Sequence, residues 1–246
     1  MPAAVPALAE NHFAFMAAQR GTIRRTETAV ELIGLADFLS WWSPLTDSAD
    51  LPETARSVRL FPWNGSWHER LAALGFTQTA QLSYMEAPVG PGRLTPPAGV
   101  AIDVVGSDED AEVFARTQTE GFLTAEDSED EATWWGAFCR AVALRNYADP
   151  AQTFYVLRQD GRPAAVSLTV TTGDVCGVYA VATPAQHRRQ GFATLLLDRI
   201  SDDAYRRGDT TLGLQVDVGS DAERLYRAAG FTPSFVSTLY SRSLPL

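Results

Sequence analysis

The residues Arg188-Arg189-Gln190-Gly191-Phe192-Ala193 combine charge, a small-residue turn and a helix start in one place. A strand-like run, Val178-Tyr179-Ala180-Val181-Ala182, leads into them through Thr183-Pro184. An amphipathic helix follows, with Leu195, Leu196, Leu197 and Ile200 at helical spacing. The first N–H groups of a helix have no intrahelical partner, and the helix dipole adds partial positive charge there. A strand–turn–helix junction of this kind therefore favours an anion. Gly191 lets the backbone approach a bulky oxyanion, Ala193 keeps the first turn narrow, and Arg188 and Arg189 add full charge. Arg188, Arg189, Gln190, Gly191, Phe192, Ala193 and Thr194 together read as a pyrophosphate cradle.

The turn is neither a P-loop nor a dinucleotide fingerprint, for it has no Gly-Lys-Ser/Thr and no Gly-x-Gly-x-x-Gly. Taken alone, Arg-x-x-Gly-x-Ala also fits an ordinary strand–loop–helix junction. The elements downstream add weight. Thr211 to Val216 is strand-like, Asp221 to Ala229 reads as a helix, Gly230 is a helix-stop residue, and Phe231 begins another extended run. With both stretches in view, the sequence resembles the GNAT superfamily of N-acetyltransferases. Members pair an Arg/Gln-x-x-Gly-x-Gly/Ala loop with a later Leu-Tyr-x-x-x-Gly-Phe segment, and the resemblance extends from about Val100 to Arg242.

That resemblance implies acetyl-CoA as acyl donor, with its diphosphate on the cradle and its pantetheine arm beside the Val178–Val181 strand. Val181 matches the position that lends backbone groups to the pantetheine amides. Tyr226 matches the tyrosine that protonates the departing thiolate; the residue type and spacing also fit a half-buried core tyrosine. The general base is open. Glu120 and Asp217 are candidates, and each is also an ordinary surface acid. The strand before the cradle, Asp174-Val175-Cys176-Gly177-Val178, lacks the glutamate common in the family, and Gly219 stands where many members carry an asparagine, with Ser220 a weak substitute. His187 adjoins the cradle and reads equally as a solvated loop residue.

These residues need elements to hold them. The order strand (Val100–Val105), helix (Asp108–Glu120), helix (about Glu131–Leu144) and a hairpin around Asp160-Gly161 precedes the cradle strand Val175–Ala182. It predicts an α/β fold with a mixed sheet, of the GNAT-like acyl-CoA N-acyltransferase type. A Pro/Gly-rich segment, 89–99, reads as a linker between residues 1–88 and a catalytic domain at 100–246. Within the first part, Glu69-Arg70-Leu71-Ala72-Ala73-Leu74-Gly75-Phe76 echoes the Tyr226 helix, with Leu71 at the tyrosine position. The expectation is a tandem arrangement with a truncated, degenerate GNAT-like half; a chance Gly-Phe after a helix is the competing explanation. Trp41, Trp42, Trp63 and Trp67 are expected to pack.

The run Glu126 to Glu131 either attracts a cationic acceptor by its field or caps a helix through Ser128-x-x-Glu131. The net charge of −10 argues against nucleic acid as a partner. All 20 basic residues are arginines, which excludes Schiff-base catalysis by a lysine. Cys139 and Cys176 are far apart, and His12, His68 and His187 have no ligand spacing, so no metal is expected. Met1-Pro2-Ala3-Ala4-Val5 lacks a signal-peptide pattern and no apolar run suggests a membrane, so a cytoplasmic monomer or homodimer is expected. The expected reaction is acetyl transfer to a primary amine of a small molecule or peptide; the alternative is a non-catalytic acyl-CoA-binding or regulatory module.

Overall fold

The computed structural model describes residues 5–124 and 126–242, so Met1 to Ala4 of the N-terminal reading lie outside the described residues. Two compact units emerge, Met1–Ala87 with Gly213–Leu246, and Pro88–Leu212.

The first unit opens with helix α1 (Ala7–Gln19) and strands β1 (Gly21–Arg25), β2 (Ala29–Gly34), β3 (Trp41–Pro44) and β4 (Ser57–Leu60). Helix α2 (Trp67–Ala73) and strand β5 (Thr77–Pro88) follow. The expected packing role of the tryptophans holds for Trp41, Trp42 and Trp67, which are buried, and the Trp42 and Trp67 rings meet edge to face at 5.2 Å. β3 and β4 run parallel, with Trp42 opposite Val58, whereas β1–β2 and β2–β3 are antiparallel.

The second unit begins with β6 (Val100–Val104), α3 (Asp108–Phe122) and α4 (Glu129–Asn146). Then come β7 (Gln152–Gln159), β8 (Arg162–Thr172), β9 (Val175–Ala182) and α5 (Phe192–Arg207). The strand order is β9-β8-β7-β6, antiparallel throughout. Asp160 and Gly161 both have positive φ, 50° and 77°, which is the backbone a two-residue hairpin turn requires. On β8 every residue from Ala164 to Val170 is buried, as expected of a strand covered on both faces; α3 and α5 both pack on it.

Local chemistry sets the helix starts. Ser107 accepts from the Asp110 N–H at 3.2 Å, and Asp108, Glu109 and Asp110 suit the positive end of α3. Ser128 and Glu131 form a reciprocal capping box on α4, so the acidic run has a structural role there. Within segment 89–99, residues 90–94 are held by hydrogen bonds. The Gly90 N–H donates to Ser201 Oγ at 2.9 Å, Gly92 to Asp202 and Arg93 to Asp198 at 3.0 Å, and Leu94 to Asp198 at 3.1 Å. It is strapped along α5.

The chain then passes through β10 (Thr211–Asp217), α6 (Asp221–Ala228) and β11 (Thr232–Ser241). In the first unit the strand order is β1-β2-β3-β4-β11-β5-β10. β11 is antiparallel to both of its neighbours: Thr238 faces Leu60 on β4 and Gln81 on β5. The internal echo seen in the sequence has a matching geometry. Gly75 and Gly230 have φ of 79° and 96°; after them Phe76 N–H donates to Leu71 O and Phe231 N–H to Tyr226 O, each at 3.0 Å. α2–β5 and α6–β11 are thus two copies of one helix–glycine–strand unit, laid antiparallel on each other.

Candidate active site

β9 is irregular just before the cradle. Its pairing with β8 slips between Val166 and Leu168, where Ala182 and Tyr179 are the partners, and Ala180 has φ of 50°. Two residues, Ala180 and Val181, thus oppose Ser167 alone, a bulge that takes Val181 out of the regular ladder. Ser167 Oγ donates to the Tyr179 carbonyl at 3.0 Å and fixes the strand on the near side of the bulge. No residue type in the sequence signals this bulge, for alanine at positive φ is uncommon.

A short 3-10 turn, Ala185–His187, ends β9 and hands the chain to Arg188. Arg189 (φ 62°) and Gly191 (φ 80°) are both left-handed, and Gly191 caps α5 without any side-chain cap. The amides from Arg189 through Thr194, six in succession, donate to no protein group among the described residues; the first bonded one is Leu195, to the Gly191 carbonyl at 3.1 Å. Left-handed residues alternating with right-handed ones curl successive N–H groups into a concave anion nest. Nothing within 4 Å would meet a Cβ built on Gly191, so its φ alone demands glycine. The turn thus presents consecutive amides on one concave stretch of backbone.

Arg188 has two protein partners that its sequence reading did not include. Its Nε donates to the Thr183 carbonyl and its Nη2 to the Gly121 carbonyl, each at 3.0 Å, so it ties the cradle turn to the end of α3. Its charge stays beside the nest, but the guanidinium acts as a brace. Arg189 is exposed, and Gln190 accepts from Gln159 at 3.2 Å. Phe192 is buried and anchors the first turn of α5, with the half-buried His187 ring 6.5 Å from it. Gly121 was not anticipated as a site-forming residue. A Cβ there would lie 2.8 Å from the Ala182 Cβ and 2.9 Å from the Thr183 nitrogen, so glycine allows α3 to meet the end of β9.

Glu120 is the residue before that contact and is exposed. It lines a groove of ≈ 310 Å³ between α3 and α4, with Ala115, Thr119 and Gly136. The remaining candidates lie in the other compact unit. Tyr226 is half-buried on α6, its ring 5.9 Å from Phe231, and its hydroxyl has no hydrogen-bond partner among the described residues. Burial pushes this phenol up to about 12. It stays protonated throughout the neutral range. Asp217, at the end of β10, is exposed, and its carbonyl accepts from the Ser220 N–H at 3.2 Å. Ser220 caps α6, accepting from the Glu223 N–H at 3.1 Å, while Glu223 accepts from Gly219 N–H at 2.7 Å. Its hydroxyl is thereby engaged at the helix start.

Among the described residues no cluster of three or more histidine, cysteine or acidic side chains is placed to hold a metal, and no helix is long and apolar enough to cross a membrane. Cys139 and Cys176 are both buried; burial raises the Cys176 thiol to about 11.

Comparison with known proteins fits this geometry. Residues 112–231 match the model of the acetyltransferase (GNAT) family. A stretch of 87 residues is 30% identical to the ribosomal protein bS18-alanine N-acetyltransferase of Escherichia coli strain K12, covering 35% of this chain and 59% of that enzyme. Among solved structures, a GCN5-related N-acetyltransferase from Kribbella flavida aligns over 97% of this chain and 95% of its own, with a TM-score of 0.69 and 20% identity. A tandem GNAT protein from the clavulanic acid biosynthesis pathway aligns over 89% of this chain and 80% of its own, with a TM-score of 0.57 and 12% identity. At these identities the structural likeness speaks to the fold, a mixed α/β arrangement in two parts.

Proposed function

Residues 112–231 place this chain in the GNAT family of acetyltransferases, and from that premise we propose that it moves an acetyl group from acetyl-CoA to a primary amine by direct attack in a ternary complex. The observation that carries the reading is the run of six unpartnered amides from Arg189 to Thr194. They suit the diphosphate of CoA, with Arg189 beside them and Arg188 bracing the turn. Val181, displaced from the ladder by the Ala180 bulge, is the position whose backbone would meet the pantetheine amides.

In this reaction the amine nitrogen forms a bond to the thioester carbonyl carbon, and the carbon–sulfur bond then breaks. Orientation supplies much of the rate, since no side chain is acylated. Tyr226 gives its proton to the departing thiolate, and its elevated pKa keeps that proton available. The proton lost by the amine goes to Glu120, Asp217 or water. An N-terminal peptide amine is one acceptor class to test, since the partly matching bacterial relative is named for acetylating a ribosomal protein alanine; a small-molecule amine is the other. The proposal places catalysis in 100–246 of a cytoplasmic monomer or homodimer, with 1–88 as the degenerate half.

The deciding measurement is calorimetry with CoA on wild type and on Gly191→Asp, which puts negative charge at the nest. One CoA per wild-type chain and a greatly weakened variant are expected. Equal affinities would place the nucleotide elsewhere. A second reading, a non-catalytic acyl-CoA-binding module, draws support from β9, where no carboxylate stands between Val175 and Ala182. Tight CoA binding with no thiol release across peptide and small amines would favour it.

A further inference from the structure

Arg59, on β4 of the first unit, is 7% exposed and has no carboxylate within ion-pair distance among the described residues. Its one hydrogen bond runs from Nη1 to Ser237 Oγ at 2.9 Å, and its guanidinium carbon lies 5.8 Å from the centre of the Trp41 ring. An arginine cannot shed its proton to escape burial, as a lysine can. A buried charge of this kind needs compensation.

Among the described residues the surroundings supply no anion, and the Trp41 ring and Ser237 hydroxyl answer the charge only in part. His12 and Tyr84 share a 2.6 Å hydrogen bond close by. His12 is held neutral by burial and by the charges of Arg59 and Arg20, and burial pushes the Tyr84 phenol up to about 12. Neither is an anion at neutral pH. The adjoining polar groups, moreover, can each donate. Trp42 and Val58 are paired across β3 and β4, so alternation turns Trp41, Ser43 and Arg59 together to the opposite face. Trp41 Nε1, Ser43 Oγ and Arg59 Nε are all buried and, among the described residues, all without a hydrogen-bond partner. Trp41 is 5% exposed and Ser43 1%. Orphaned buried donors are rare in folded proteins, and the cation's own Nε with two neighbouring donors on the same face is a coherent set.

We propose that this cluster is a buried anion site, where a small monovalent inorganic anion of chloride size accepts from Arg59 Nε, Trp41 Nε1 and Ser43 Oγ. A water molecule has only two acceptor lone pairs and no charge, so it leaves both the third donor and the cation unanswered. The site is independent of the acetyl-transfer chemistry. It acts as an inorganic staple joining β3 to β4, strands of the first unit with a single residue pair in register.

The test uses the full chain. Its Tm is measured in potassium chloride and in potassium gluconate at matched ionic strength, from millimolar to molar salt. Binding to the native state alone makes Tm climb with the logarithm of chloride once the site saturates. The climb is expected in wild type and lost in Arg59→Met, which keeps the apolar stem and removes the charge. Trp41→Phe, which removes one donor, should raise the chloride needed by roughly tenfold. Crystals of wild type grown in bromide give the second readout, which does not depend on either variant folding. An anomalous peak in contact with Arg59 is expected. Identical Tm curves in the two salts, or a water at that position in bromide crystals, would overturn the proposal.

Discussion

The Tyr226 hydroxyl has no hydrogen-bond partner among the described residues, so its removal separates chemistry from folding. Tyr226→Phe keeps the ring against Phe231 and should leave stability nearly unchanged. If the phenol protonates the thiolate, kcat should fall by about 10²–10⁴-fold, with acetyl-CoA affinity preserved. The check is a pH profile of kcat for both proteins with one acceptor; a wild-type kcat in the variant would make Tyr226 a packing residue. Gly121 offers a steric test. Gly121→Ala places a methyl 2.8 Å from the Ala182 Cβ, an overpacking that should cost about 1–3 kcal/mol and weaken CoA by shifting the end of β9. Urea unfolding alongside CoA titration measures both effects. At this scale the sequence was legible where backbone conformation depends on residue type: glycine at 191, a capping serine at 128. It could not show the surroundings of Arg188, whose two carbonyl partners are brought near only by tertiary structure. The Ala180 bulge had no residue-type signal at all.

Helices and strands were read almost to the residue where periodicity was strong, as in β9 and α3. What local patterns could not reveal was the strand order. β11 lies between β4 and β5, and nothing in residues 232–241 names partners that stand 146 to 184 positions earlier in sequence. The pairing gives a direct expectation for a fragment. Residues 100–246 alone would lack both flanking strands of β11, leaving α6 on an unsupported strand and two rows of backbone groups exposed. Such a fragment should be aggregation-prone and give no cooperative unfolding transition by circular dichroism. A soluble fragment with sharp unfolding would show that residues 1–99 are dispensable for folding. The strap at 90–94 adds a smaller loss, since its amides bond to Ser201, Asp202 and Asp198 of α5.

Over the whole molecule, several protons are held above their ordinary values. Tyr84 and Tyr226 rise to about 12, Cys176 to about 11, and Tyr155 rises further, all mainly by burial. A raised pKa means the folded state keeps a proton that the unfolded state releases. The resulting stability is intact below the unfolded values, near 9 for the thiol and 10 for the phenols, and is lost as pH climbs towards 11 and 12. Urea midpoints should therefore drop steeply from pH 9 to 11; a flat profile would mean these groups are hydrated in solution. The strand order has another consequence, which belongs to the ribosome. During synthesis β4 and β5 emerge long before the strand that must sit between them. With β5 ending at Pro88 and β11 starting at Thr232, the delay is roughly 10–30 s at usual elongation rates. For that interval the nascent chain displays an open slot with the geometry of a missing strand. Any extended segment of a neighbouring chain could enter it, which makes polysome crowding, rather than heat, the condition under which this protein is most vulnerable.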